Sequence, residues 1–272
     1  MTFILFMKLA EENISITSHD GFKIPSYLTY PQEKGQYPGI IIIHEIWGLN
    51  DQIRGVARRY AEQGYVALAP SLFSRGGKIL EEENIRKAMI PFFSIPREKR
   101  NDPTTLKSMM ENMTESEREV VQKLFMERES LQNLIVKDAP KCHEYLKNVD
   151  SINRDKIGIT GFCFGAGLAF QLSTLLPFDA SVIFYGANPN PIGSVSKIRG
   201  PVLALYAGED DRVDAGIPAL IEAMRKYKKT FSMKLYSGVQ HAFFNETSSI
   251  YDKPSAEDAW QLAINHFNTY LK

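Results

Sequence analysis

The sequence predicts an α/β fold: a mostly parallel central sheet flanked by helices, with a helical insertion. Three observations carry that expectation. Two uninterrupted apolar runs, Gly39-Ile40-Ile41-Ile42-Ile43 and Tyr65-Val66-Ala67-Leu68-Ala69-Pro70, flank a helix-patterned segment. Runs without polar alternation are strands buried on both faces, and a strand–helix–strand crossover makes a parallel pair. A third run, Lys156-Ile157-Gly158-Ile159-Thr160, leads into Gly161-Phe162-Cys163-Phe164-Gly165 and a small apolar helical stretch from Ala166 to Leu172. Between these parts, the residues from about Gly76 to Lys137 break the alternation with charge, methionine and the breakers Pro91, Pro96 and Pro103.

The remaining elements follow in order. Ile14 to Thr17 and Lys23 to Thr29 form two short strands around the hairpin signal His19-Asp20-Gly21-Phe22. Asn50 or Asp51 caps a helix running to Gly64. Inside the insertion, Thr114-Glu115-Ser116-Glu117 is a capping box, and Val120, Val121, Leu124 and Leu131 recur at helical spacing, so one long helix is expected from near Glu115. Lys141 to Leu146 is helical, with Pro140 placed near a first turn or a kink. Strands at Ala180–Tyr185, Val202–Ala207 and Phe231–Tyr236 and helices at Ile217–Tyr227 and Ser255–Tyr270 complete the chain. The simplest organisation is one domain over residues 1–272 with 76–137 inserted as a lid or pocket wall.

Composition narrows the function classes. With 32 basic and 32 acidic residues the formal net charge is zero, so nothing pulls the chain toward nucleic acid or an acidic membrane. The two cysteines, Cys142 and Cys163, argue against a disulfide framework and fit a reducing cytoplasm. No histidines and cysteines stand at metal-ligand spacing, and no metal or organic cofactor is expected. The apolar patch Phe3-Ile4-Leu5-Phe6-Met7 lacks the basic flank and cleavage site of a signal peptide and is far short of the ~20 apolar residues of a membrane span. It is expected to be an edge segment or a small packing patch.

The chemistry centres on Cys163. A residue bracketed by glycines between a strand and a helix has the layout of the nucleophile elbow, here with cysteine in place of serine. The turn is tight enough to exclude side chains at its flanks, and the helix N-terminus favours the thiolate. Two further polar features fall at strand ends: Asp210-Asp211 and His241. Each alone is commonplace in a turn or cap. Together, in the order nucleophile, acid, histidine and at the edge of a parallel sheet where ligands bind, they form a candidate triad. His241 would move the thiol proton and a carboxylate would orient the imidazole; spacing does not choose between Asp210 and Asp211. The oxyanion donors would be the N–H groups of Phe164 and, in the loop after Ile43, of Ile46.

These segments, with His44-Glu45-Ile46-Trp47-Gly48-Leu49-Asn50, Gly64 to Phe73, Ala207-Gly208-Glu209-Asp210 and Gln240-His241-Ala242-Phe243, resemble the dienelactone hydrolases (carboxymethylenebutenolidases) of the α/β-hydrolase superfamily. The resemblance implies Cys163 as nucleophile, Asp210 as acid, His241 as base and Glu45 beside the resting thiol as a control on its ionisation. It also implies a small-molecule ester or lactone substrate cleaved through a thiol-acyl intermediate. Two departures stand out. The insertion is longer than the family's usual one, and Asn245 stands where well-known members carry a substrate-binding arginine, with Arg75 or Arg212 as candidate replacements. A thioesterase, a peptidase and a non-hydrolytic thiol-reactive or redox-sensing protein are the competing readings.

Overall fold

The computed structural model describes residues 7–96, 99 and 102–272; the Phe3–Met7 patch lies almost wholly outside them. Eight strands form one sheet: β1 (Leu9–Thr17), β2 (Lys23–Pro31), β3 (Tyr37–Ile43), β4 (Val66–Pro70), β5 (Ile152–Phe162), β6 (Ala180–Phe184), β7 (Val202–Ala207) and β8 (Phe231–Tyr236). Their order is β1-β2-β4-β3-β5-β6-β7-β8. The hairpin β1–β2 and the β2–β4 pair are antiparallel, and every pair from β4 to β8 is parallel.

The isoleucine run of β3 shows why the central strands lack alternation. Side chains point to opposite faces with a period of two. Ile41 and Ile43 join one core with residues of β5, the long crossover helix and the helix after Cys163, while Ile40 and Ile42 join the other. Two helices cover that second face: α1 (Asp51–Glu62) and α9 (Lys253–Leu271). Asn50 caps α1, its side chain accepting from the Ile53 N–H at 3.1 Å. On the first face lie α5 (Arg128–Lys147), α6 (Phe164–Ser173) and α8 (Ile217–Lys226), with the single turn α7 (Asp211–Asp214) just before α8.

The segment between β4 and α5 holds α2 (Glu82–Ser94), α3 (Pro103–Glu111) and α4 (Glu115–Val121). The capping box is present, with Thr114 and Glu117 satisfying each other's backbone N–H groups. The single long helix expected from Glu115 is interrupted: a π turn at Gln122–Met126 separates α4 from α5. The apolar spacing that suggested one helix survives because Val120, Leu124 and Leu131 all reach the same core across the π turn.

Nor does the helical pattern stop at Lys137. Helix α5 continues to Lys147 with Pro140 in its interior rather than at its start. Proline there removes the hydrogen bond to the Val136 carbonyl, a cost of ~3 kcal/mol. Leu131, Ile135, Ala139, Cys142 and Leu146 are buried on either side of it, and that packing outweighs the local penalty.

The central strands carry the stability. Ile159 of β5 is fully buried between β3 and β6. Ile159→Ala is expected to cost about 2–5 kcal/mol in urea unfolding, with an unchanged m-value.

Candidate active site

The turn between β5 and α6 places Cys163 at the carboxyl edge of the sheet. Strand order reverses there: β3 leads to β4 on one side, whereas β5 lies on the other, and the crevice at such a switch point is the natural ligand site of an open α/β sheet. Cys163 takes a left-handed backbone, φ 54° and ψ −118°. A cysteine gains nothing from that region by itself, so the surroundings must impose it. They do so through Gly161 and Gly165. A Cβ on Gly161 would sit 2.3 Å from the Gly165 carbonyl oxygen, and one on Gly165 would sit 2.2 Å from that of His44. Both obstacles are backbone. The absent side chains let α6 start directly against the end of β3, and the half-buried thiol projects into the crevice.

His241 reaches this thiol from the loop after β8. Its Nε2 is 2.9 Å from Cys163 Sγ, and its Nδ1 hydrogen-bonds Asp210 Oδ2. Asp210 follows β7 and is 1% exposed, whereas its neighbour Asp211 begins α7 and is exposed. Of the two aspartates left open by spacing, Asp210 is the one joined to the imidazole. Burial opposes charge on His241, but the Cys163 sulfur at one ring nitrogen and the Asp210 carboxylate at the other outweigh it, and the histidine is raised to about 10. The three side chains form a continuous line along which one proton can move between sulfur and imidazole while the carboxylate stays charged.

Glu45 stands behind this line. It is 2% exposed and accepts hydrogen bonds from the Tyr185 hydroxyl at 3.2 Å and the Asn245 amide at 2.5 Å. Burial raises its pKa, and the His241 charge is among the influences lowering it, which puts the two groups in electrostatic reach. Asn245 is thus directed inward, to Glu45, and is itself buried; it does not line the substrate crevice as the position of the family's arginine suggested. Tyr185 was not picked out from sequence. It directly follows β6 with φ 43°, and its ring lies 5.0 Å from that of His241. Its signal was there in a bulky aromatic immediately before Gly186 at a strand end.

His44 fixes the other wall. Its Nε2 accepts from the Leu72 N–H at 3.1 Å, so Nδ1 carries the proton and donates to the Glu45 carbonyl at 2.7 Å. Full burial lowers it to about 4, keeping it neutral. The loop carrying Glu45 and Ile46 is thereby pinned to the end of β4. Ile46 and Phe164 both border the crevice beside Cys163. Phe164 is the first residue of α6, and N–H groups in a first helical turn have no intrahelical partner.

The crevice opens into a cleft of about 1710 Å³. Its floor holds Cys163, Phe164 and His241, and much of its wall comes from Phe92, Phe93 and residues between Leu106 and Val136 of the inserted region. Arg118 of α4 borders it and donates to the Met110 and Met113 carbonyls, and two further guanidinium groups border it, Arg128 from the start of α5 and Arg212 from α7. Neither forms an ion pair among the described residues. Arg128 lies 5.1 Å above the Phe164 ring, and burial followed by the charge of Arg212 lowers its pKa. Arg75, the other candidate cation, is committed elsewhere: it bonds Asp138 at 2.6 and 2.7 Å and Asp20 at 2.9 Å, tying the β1–β2 turn to α5. That also accounts for the one group of metal-type ligands among the described residues, His19, Asp20 and Asp138, where the guanidinium occupies the cation's place. Cys142 is buried and its thiol is pushed up to about 12, the opposite of a reactive sulfur. Among the described residues no helix is long and apolar enough to cross a membrane.

Known proteins share this organisation. A model of the dienelactone hydrolase family matches residues 24–271. A Saccharolobus solfataricus protein with the provisional name carboxymethylenebutenolidase is 47% identical over 89% of this chain and 92% of its own length. The protein named usf from Aquifex pyrophilus is 30% identical over 93% of this chain and 96% of its own. A crystal structure from Klebsiella pneumoniae, provisionally described as a dienelactone hydrolase, superposes with a TM-score of 0.73 at 23% identity, covering 97% of this chain and 100% of that one. At that identity the likeness shows the fold.

Two outcomes are expected from the geometry. The raised histidine contributes stability that is complete below the ordinary value of 6.5 and is lost as pH rises through about 10. Cys163→Ala removes the largest influence raising it, so the imidazole should titrate at lower pH in NMR spectra, and the alkaline loss of stability should begin earlier. Gly165→Ala, whose Cβ meets backbone on β3, should cost about 1–3 kcal/mol in chemical denaturation.

Proposed function

Because this chain belongs to the dienelactone hydrolase family and is a carboxylic ester hydrolase with the α/β-hydrolase fold, we propose that it cleaves an ester or lactone with Cys163 as nucleophile, His241 as acid–base and Asp210 as the orienting carboxylate. One observation carries the proposal: the unbroken line from Asp210 through His241 to the strained Cys163, at the floor of the cleft.

The steps follow from that line. The Cys163 sulfur attacks the carbonyl carbon, its proton resting on His241 Nε2, and the carbonyl π pair moves to oxygen. The N–H groups of Phe164 and Ile46 stabilise the oxyanion. When the intermediate collapses, the C–O bond to the leaving oxygen breaks and His241 supplies that oxygen's proton. A water then attacks the thioester while His241 takes its proton, and the carbon–sulfur bond breaks to release the acid and restore the sulfur. Asp210 keeps Nδ1–H oriented and stabilises the imidazolium throughout. Glu45, buried within reach of His241, adjusts the charge of the thiol–imidazole pair. The inserted segment 76–137 acts as a cover for the site, and Arg128 and Arg212 give the cleft affinity for substrates bearing a carboxylate. A cytoplasmic setting, which keeps both free cysteines reduced, is part of this reading.

Cys163→Ala is expected to lower kcat/KM for p-nitrophenyl acetate by at least about 10³-fold without changing the melting temperature by more than a few degrees. Activity at the wild-type level would remove Cys163 from the chemistry. Replacing Arg128 and Arg212 together by alanine should raise KM for the anionic cis-dienelactone about 10-fold more than KM for the neutral acetate ester. Equal effects on both would dismiss the two arginines as an anion site.

A further inference from the structure

The cleft is larger than a small lactone requires. Ligand pockets of ~300–1,000 Å³ already enclose drug-sized molecules, and this one has about 1710 Å³. The surplus lies under the insertion and is lined on one side by apolar groups in an ordered arrangement. Trp47, next to Ile46, meets Phe93 with ring centroids 5.5 Å apart; Phe93 meets Phe92 at 5.4 Å, and Phe92 meets Phe125 at 5.1 Å. Phe92 and Phe93 of α2 and Phe125 of the π turn border the cleft, and Trp47, in contact with Phe93, joins this aromatic series to the loop beside the thiol.

Helix α3 faces the same space and has an unusual composition of contacts. None of its residues is buried. Yet Leu106, Met109 and Met110, at i, i+3 and i+4, all border the cleft. Met126, on the π turn, borders it too and is 82% exposed. A half-buried apolar helix stripe that borders the same cleft as the aromatic series leaves a slot suited to an apolar guest. Methionine suits such a wall because its unbranched side chain adapts to guests of varied shape.

Sheet topology decides which end of the substrate enters the slot. His241 and Asp210 follow β8 and β7, which lie on one side of β5. The leaving oxygen takes its proton from His241 and so departs toward that side. Ile46 and Trp47 follow β3, on the opposite side of β5. The oxyanion turns to the Phe164 and Ile46 N–H groups, and the acyl group, the substituent left on the carbon, has the cleft beyond Ile46 open to it, where Phe93 and Phe92 lie.

We propose that the slot between the Phe93–Phe92–Phe125 series and the Leu106–Met109–Met110 stripe of α3 is an acyl-chain subsite, and that the enzyme's substrates are esters with an extended apolar acyl group. The proposal rests on the esterase reading above and adds the substrate class. No new chemistry is needed: the acylated sulfur and the released carboxylic acid are those of the ordinary cycle, with a longer chain.

The test compares p-nitrophenyl acetate and p-nitrophenyl octanoate with the full-length protein. Partial burial of six added methylenes should raise kcat/KM for the octanoate at least about 10-fold over the acetate. That ratio should fall toward one in Met109→Asp combined with Met110→Asp, two changes on a helix that buries no residue. Octanoate and acetate ions titrated against the Cys163→Ala protein, read by tryptophan fluorescence, should show octanoate binding at least about 10-fold more tightly. A flat chain-length profile with Cys163-dependent turnover would overturn the acyl-chain subsite and leave the esterase reading intact. An absence of Cys163-dependent turnover would strike the esterase reading. Equal binding of the two ions would overturn the subsite whether or not turnover is seen.

Discussion

The site depends on one backbone constraint: a cysteine held at positive φ where a parallel strand turns into a helix. That conformation persists because β5 and α6 approach each other and the end of β3 so closely that Gly161 and Gly165 have no room for a side chain. The close approach has three consequences at once. It lifts the sulfur out of the sheet, puts the first turn of α6 beneath it, and brings the Glu45–Ile46 loop alongside. A looser turn would preserve the fold but separate these groups. The strain is sustained by the two cores above and below the sheet, whose central strands leave the turn no freedom to relax.

Around this fixed sulfur the electrostatics are layered by depth. Asp210 is almost fully buried and joined to His241, whose other nitrogen meets the thiol. Glu45 is equally buried but is surrounded by neutral donors, the Tyr185 hydroxyl and the Asn245 amide, in place of a cation. A carboxylate satisfied only by neutral hydrogen bonds keeps a raised affinity for protons, and this one is within reach of the imidazole charge. The two positive charges near the reacting atoms, Arg128 and Arg212, are instead at the border of the cleft, where a bound molecule can meet them. Charge inside the protein serves the thiol–imidazole pair; charge at the border faces the ligand.

Much of this was readable from the chain. Apolar runs longer than four residues identified β3 and β4, because a strand covered on both faces has no reason to alternate, and the shorter β-type run Lys156 to Thr160 identified β5. The glycine-bracketed Cys163 and the order cysteine, aspartate, histidine picked out three side chains that the fold brings into contact, because those residues sit on turns whose geometry is local. What escaped is what tertiary packing decides. Arg128 is ordinary in sequence and becomes part of the cleft only because a π turn reorients the chain between α4 and α5. Asn245 was tied to the crevice only by the resemblance, as the position where well-known members carry an arginine, but its amide turns inward to Glu45. Pro140 suggested a first turn or a kink, and it lies inside α5, where burial of the turns on both sides keeps the helix continuous through it. Arg75, named from the sequence beside Arg212 as a candidate substrate cation, is a structural clamp by position.

The central claim is that the substrate's acyl group is carried on Cys163. The most direct measurement is an acid quench of the protein during turnover of p-nitrophenyl acetate, followed by peptide mass spectrometry. The account predicts one acetyl group on the peptide containing Cys163, appearing within the first turnover and disappearing when substrate is exhausted. An acetyl group on another residue with kinetics matching turnover, or hydrolysis with no acylated peptide under conditions that preserve thioesters, would contradict it.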